Sequence, residues 1–165
     1  MADCPECGAP LAEGESCRAW FDQLLALEFE QPEAFAEHHL TVACYFLQHP
    51  AGYGEGTLEQ WRSLLRAALV DGVAPAQLRR VMSERFEGPS RVRGDENSPP
   101  VWWPRRWSVI VRDVVALEER PATAAAHLDR VRRWAWSILG ELNAASGAAE
   151  LKPKGALAHP SPPGK

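Results

Sequence analysis

No run of about 20 apolar residues, the length that crosses a bilayer, occurs in the 165-residue chain. The opening stretch also lacks the basic start and apolar core of a secretion signal, carrying Asp3, Cys4, Glu6 and Cys7 instead. Both absences exclude a membrane partner and lead to the expectation of a cytoplasmic protein. Basic residues are nearly missing from the first 60 positions, where Arg18 stands alone against 11 acids, a charge of -10; the remaining 11 acids and 17 bases give +6, and the two sum to -4. Such halves suit each other within one fold. Lysine is scarce as well. Lys152, Lys154 and Lys165 are all near the C-terminal end and the other bases are arginine, a bias that, with abundant alanine, points to GC-rich coding rather than to a phosphate-binding surface. There is no GxxxxGK[ST] or GxGxxG phosphate loop, no GxSxG elbow and no HExxH helix. No pair of carboxylates stands at a spacing suited to acid-base work, and the acids of the first helices read as a solvated face. The sequence therefore names no enzyme class.

What is present suits one soluble domain of 18.2 kDa, with 45% apolar residues, 24% charged residues and a mean hydropathy of -0.30. The expected division is a domain over 1–144 and a disordered Ala, Gly, Pro, Lys and Ser tail over 145–165. Four cysteines are present, Cys4, Cys7, Cys17 and Cys44. Cys4-Pro5-Glu6-Cys7-Gly8 is a CPxCG knuckle, whose tight turn brings two thiolates to one ion while the glycine supplies the backbone freedom the turn needs. A redox CxxC opens a helix after a strand, which this motif does not, and a cytosol keeps thiols reduced. The metal expected is a structural zinc ion.

Helix geometry supplies the remaining ligands. Ser16 is an N-cap for a helix from Cys17 to about Glu30, which Gln31-Pro32 ends. A second helix follows over about 33–48, and a turn this short makes the two antiparallel. At a rise of about 1.5 Å per residue, Cys17 lies level with the region from Cys44 to His49, whereas His38 and His39 lie roughly 15 Å away. The predicted ligand set is Cys4, Cys7, Cys17 and His49. Cys44 is the substitute for the fourth position and otherwise a small core residue, and His49 otherwise a histidine at a helix C-terminus.

The segment from Glu37 to Pro50, with HxLTVxxYxLQHP at its centre, resembles the hallmark of an uncharacterised bacterial domain family that also has an N-terminal CPxCG and a late Trp-Ala helix. The resemblance extends to about Leu142. It implies that Cys4, Cys7, Cys17, His38, Tyr45, Gln48, His49, His127 and Trp134 are family positions, and it implies no activity.

Further helices are expected from Thr57, as N-cap with Gln60 as its capping-box partner, to about Val70; from Ala74 to about Phe86, with Leu78, Val81, Met82 and Phe86 facing in; and over about 122–143. Ser108 caps a segment over about 109–119 whose Val and Ile content suits a strand or a buried helix, with helix favoured because no second strand run pairs with it. The fold class is all-α, a five- to six-helix bundle with an N-terminal zinc knuckle. Two surfaces remain as candidate sites. His38, Tyr45 and His127 form a second polar site if the last helix covers the hairpin, with a satisfied core histidine as the plainer reading of His127. Trp102, Trp103, Arg105 and Arg106 form either a stacking and phosphate-binding surface or a lid of rings over the core. The function expected is that of a binding or accessory module with an unknown protein partner. The alternatives are a nucleic-acid binder using the Trp/Arg loop and a metal-dependent enzyme working near His38, Tyr45 and His127.

Overall fold

A computed structural model describes residues 2–86, 99–100, 102–115 and 123–148, with the side chains of 85 and 86 left aside. The chain begins with two short antiparallel strands, β1 (Ala2–Asp3) and β2 (Pro10–Leu11), paired Ala2 to Leu11 and Asp3 to Pro10. Then come α1 (Cys17–Glu30), a 3-10 turn (Ala34–Glu37), α2 (His38–Gln48), α3 (Glu55–Leu69), α4 (Pro75–Phe86), α5 (Val111–Val115) and α6 (Ala124–Ala145). The fold is mostly helical, as expected from the periodicity.

Local chemistry sets most boundaries. Ser16 caps α1 through its side chain, which accepts from the Ala19 N–H at 3.1 Å. Thr123 caps α6 in the same way, accepting from Ala126 at 3.2 Å. Four expectations need correction. The single helix expected over 33–48 divides at Glu37, whose φ of -114° and ψ of 23° interrupt the α-ladder while its carboxylate is held by Arg132 of α6. Thr57 is not an N-cap. The Thr57 and Leu58 N–H groups already donate to the Gly54 carbonyl, so α3 starts earlier and the threonine side chain turns inward. Ser108 does not cap α5; it binds Glu141 and Ser137, and the Ile110 N–H is instead received by Asp113 at 2.8 Å. Val81 faces outward at 38% exposure, because Leu78 and Met82, a full turn apart, take the inner face. The inward Phe86, the end of the helix expected over 109–119 and most of the tail fall outside the described residues; of the 145–165 segment, Ala145 completes α6.

α1 and α2 run antiparallel, as their side-chain pairs show. Glu28 meets His38 and Thr41, Phe21 stacks on Tyr45 with ring centroids 4.0 Å apart, and Cys17 lies beside His49. α2 packs on α3 and α6, and α1 on α5. Leu40, Leu47, Leu58, Leu65, Trp134 and Ile138 fill the fully buried centre between them. The consequence for function is positional: the pair has two ends, one at the knuckle and one at the turn, about 16 Å apart for eleven residues of helix.

Candidate metal centre

The N-terminal knuckle is closed by two backbone hydrogen bonds, Cys4 N–H to Ala9 O at 2.8 Å and Gly8 N–H to Cys4 O at 2.9 Å. Gly8 sits at φ +73°, and a Cβ there would lie 2.8 Å from Arg106 Cγ and 2.9 Å from Arg105 O. Glycine is therefore required both by the turn and by the 102–107 segment laid against it. Cys17 is the first residue of α1, where the helix dipole favours a thiolate. His49 follows the last residue of α2.

One ligand atom from each of Cys4, Cys7, Cys17 and His49 lies within 4.8 Å of all the others, and all four residues are buried. The Cys7 and Cys17 sulfurs are 3.5 Å apart. Zinc–sulfur bonds of about 2.3 Å place tetrahedral thiolates about 3.8 Å apart, so the pocket has the dimensions of such an ion. The histidine is the candidate for the fourth ligand. Its Nδ1–H donates to the Tyr45 carbonyl at 2.9 Å, which leaves Nε2 as the lone-pair nitrogen, and Nε2 is buried without a hydrogen-bond partner. A carbonyl holding the far nitrogen is the usual outer support of a metal-binding imidazole. The Tyr45 ring stacks on the imidazole at 4.2 Å and fixes its plane.

The electrostatics agree. The hydrogen bond from Cys17 outweighs burial and, with His49, draws the Cys7 thiol well below its ordinary value. Cys17 is pushed far up by that same bond, by burial and by the Cys7 and Cys4 charges. Three thiols in one pocket resist joint ionisation, and a cation removes that resistance. Cys44 stays apart from the four. It is fully buried, burial alone pushes its thiol well up, and it serves as a small core residue.

At the other end of the hairpin the structure brings His38 and His127 together, but not Tyr45, which belongs to the metal end. The residue between the two histidines is Glu28, whose side chain is completely buried. Its Oε2 accepts from His38 Nδ1 at 2.6 Å, and its Oε1 from Thr41 Oγ1 and from His127 Nε2 at 3.1 Å. Burial would raise its carboxyl, yet the bonds from His127, His38 and Thr41 prevail and hold it below the ordinary value. Its neighbour His39 is buried with Nδ1 unpartnered, and burial together with the charges of Arg79, His38 and Arg132 lowers it to about 4. Sequence reasoning missed Glu28 by assigning the early acids to the polar face. The signal was there: Cys17, Phe21, Leu24 and Glu28 recur at helical spacing on one stripe.

The Trp/Arg segment lies over the metal end. Trp103 is buried and its indole N–H donates to Leu47 O at 3.0 Å; Trp107 is also buried, whereas Trp102 is 38% exposed. Gln48 Nε2 donates to Val109 O at 2.7 Å, and Arg106 pairs with Asp3 at 3.3 Å. Two rings of the three thus close the core, leaving Trp102, Arg105 and Arg106 as the outward part. Among the described residues no helix is long and apolar enough to cross a membrane.

The profile of DUF5946, described as a family of unknown function, matches residues 2–143. The chain belongs to that family. The matched span includes the knuckle, both ends of the hairpin and nearly all of α6. No curated protein and no solved structure matches the chain.

Proposed function

We propose that this DUF5946 member is a cytoplasmic binding or accessory module whose fold is stapled by one structural zinc ion held by Cys4, Cys7, Cys17 and His49, and whose partner is another protein. The observation that carries the metal reading is the buried, unpartnered Nε2 of His49 among three buried thiols. Soft sulfur ligands with one imidazole suit zinc. Four protein ligands close its shell and leave no position for an activated water, so the reading is of a structural rather than a hydrolytic ion. When bound, the ion supplies a crosslink between the knuckle, the start of α1 and the end of α2.

Metal content by mass spectrometry on the tag-free protein tests this. One zinc per chain is expected in the wild type and in Cys44→Ala, with zinc and thermal stability lost together in Cys17→Ser and His49→Ala. Zinc retained in either of the last two variants, or lost in Cys44→Ala, overturns the ligand set.

A further inference from the structure

We propose that the Cys/His pocket is a peroxide-sensitive switch, in which Cys7 and Cys17 join as a disulfide and the 102–107 segment strapped across the pocket comes off the knuckle. The proposal rests on the metal reading and adds the regulation of that site.

The sulfurs that pair are already neighbours. Cys7 and Cys17 stand 3.5 Å apart, so a disulfide of about 2.05 Å asks the two for a joint movement of about 1.5 Å. They are ten positions apart in the chain, and the link between them runs through the turn at Gly14, φ +82°, with open space around it. That turn can follow the movement. Cys4 and Cys7 sit instead in a four-residue ring whose shape is fixed by the Cys4 N–H to Ala9 O and Gly8 N–H to Cys4 O bonds, so drawing their sulfurs together strains a turn that is already closed. Cys44 lies outside the cluster.

Cys17 keeps 5% of its surface and Cys7 1%, so a molecule of peroxide's size meets Cys17 first. When bound, the ion holds both sulfurs as thiolates. The Cys17 sulfur attacks one peroxide oxygen; the O–O bond breaks, the sulfur becomes a sulfenic acid and the other oxygen departs as hydroxide. The Cys7 sulfur then attacks the Cys17 sulfur, the S–S bond forms, the S–O bond breaks and a second hydroxide leaves. Two protons from solvent turn both hydroxides into water, and the two electrons that reduce the peroxide come from the two sulfurs. Neither sulfur is then a thiolate, so Cys4 and His49 remain as two ligands where a closed shell needs four.

The 102–107 segment bridges the two parts that the pocket joins. On the knuckle side, Arg105 and Arg106 back directly onto Gly8, and Arg106 pairs with Asp3 at 3.3 Å. On the α2 side, the Trp103 indole donates to Leu47 O, and just beyond the segment Val109 O accepts from Gln48. A disulfide still ties the knuckle to α1 but has no hold on His49. The knuckle and the end of α2 are then free to part, and a strap across both gives way at the knuckle, where an exposed ion pair holds it. Reducing surroundings reverse such a bond, as a switch requires.

Hydrogen peroxide added to the tag-free, full-length protein tests this, with zinc release read by a chromogenic chelator, cysteine pairing by peptide mass spectrometry and backbone opening by hydrogen exchange. One zinc lost per Cys7–Cys17 disulfide is expected, with faster exchange over 102–107 and recovery of both on adding dithiothreitol and zinc. Cys44→Ala should respond as the wild type does. Untreated protein without zinc overturns the metal reading and the switch together. Zinc bound at the start and retained under peroxide, zinc released with Cys4 or Cys44 in the disulfide, or zinc released with exchange over 102–107 unchanged overturns the switch alone.

Discussion

Replacing Glu28 by alanine removes the one acceptor shared by three donors. Two of them, His127 and Thr41, are fully buried, so no water reaches them in compensation. Each buried donor left unpaired costs about 1–3 kcal/mol, and each lost methylene adds about 0.8 kcal/mol. His38, partly exposed, recovers a water and adds little. The expected loss is about 3–7 kcal/mol, overlapping the 3–5 kcal/mol or so for breaking a buried ion pair on one side. Against a total stability of about 5–15 kcal/mol this is a large fraction. Urea unfolding followed by helical circular dichroism measures it, with metal content determined alongside so that loss of the ion is not mistaken for loss of the network. A Glu28→Ala protein with its metal retained and its stability within about 1 kcal/mol of the wild type would refute the reasoning, because buried donors without an acceptor cannot be that cheap.

Acid should weaken the same region with a defined sign. His39 is lowered to about 4 from an ordinary 6.5, so the fold favours its neutral form. The stability it contributes is full above the unfolded value and is lost as pH falls from about 6.5 to about 4, amounting to about 2–4 kcal/mol at about 1.4 kcal/mol per unit. Glu28, depressed from its ordinary value, adds loss in the same direction further down, as pH falls through its folded value. A His39→Phe protein should show a flatter stability profile between pH 6.5 and 4 than the wild type by urea titration; identical slopes would refute this. Gly8→Ala places an L-residue at φ +73° and a methyl 2.8 Å from Arg106 Cγ. It should destabilise by about 1–2 kcal/mol and raise hydrogen exchange in the 102–107 segment, and unchanged exchange there would show that the knuckle does not support it.

The metal end of the fold was legible in the sequence because its geometry is nearly one-dimensional. A knuckle, a helix starting at Cys17 and a proline-terminated turn fix where His49 falls once the rise per residue is known. Helix existence was legible for the same reason, while boundaries were not. Thr57 and Ser108 carry cap chemistry in sequence, yet the helix had already started at Glu55 behind the Gly54 carbonyl, and Ser108 found Glu141 of α6. Such outcomes depend on tertiary neighbours. Glu28 shows the limit most clearly. Its place on the Cys17, Phe21 and Leu24 stripe marks it as inward-facing, but nothing near it in sequence supplies three donors, since Thr41 and His127 arrive from α2 and α6. Tyr45, expected beside His38, lies seven residues further along α2, which carries it to the other end of the pair.

The α1–α2 pair thus has unlike chemistries at its two ends, a buried Cys/His cluster that could hold a metal at one and a carboxylate among imidazoles at the other. Each fastening has its own solvent, since chelation or oxidation loosens the first and protons loosen the second. A zipper of this kind opens from whichever end is attacked. Residue-resolved hydrogen exchange during chelation should run from Cys17 and His49 inward, and during acidification from Glu28 and His38 inward, so that one hairpin unfolds in opposite orders under two stresses.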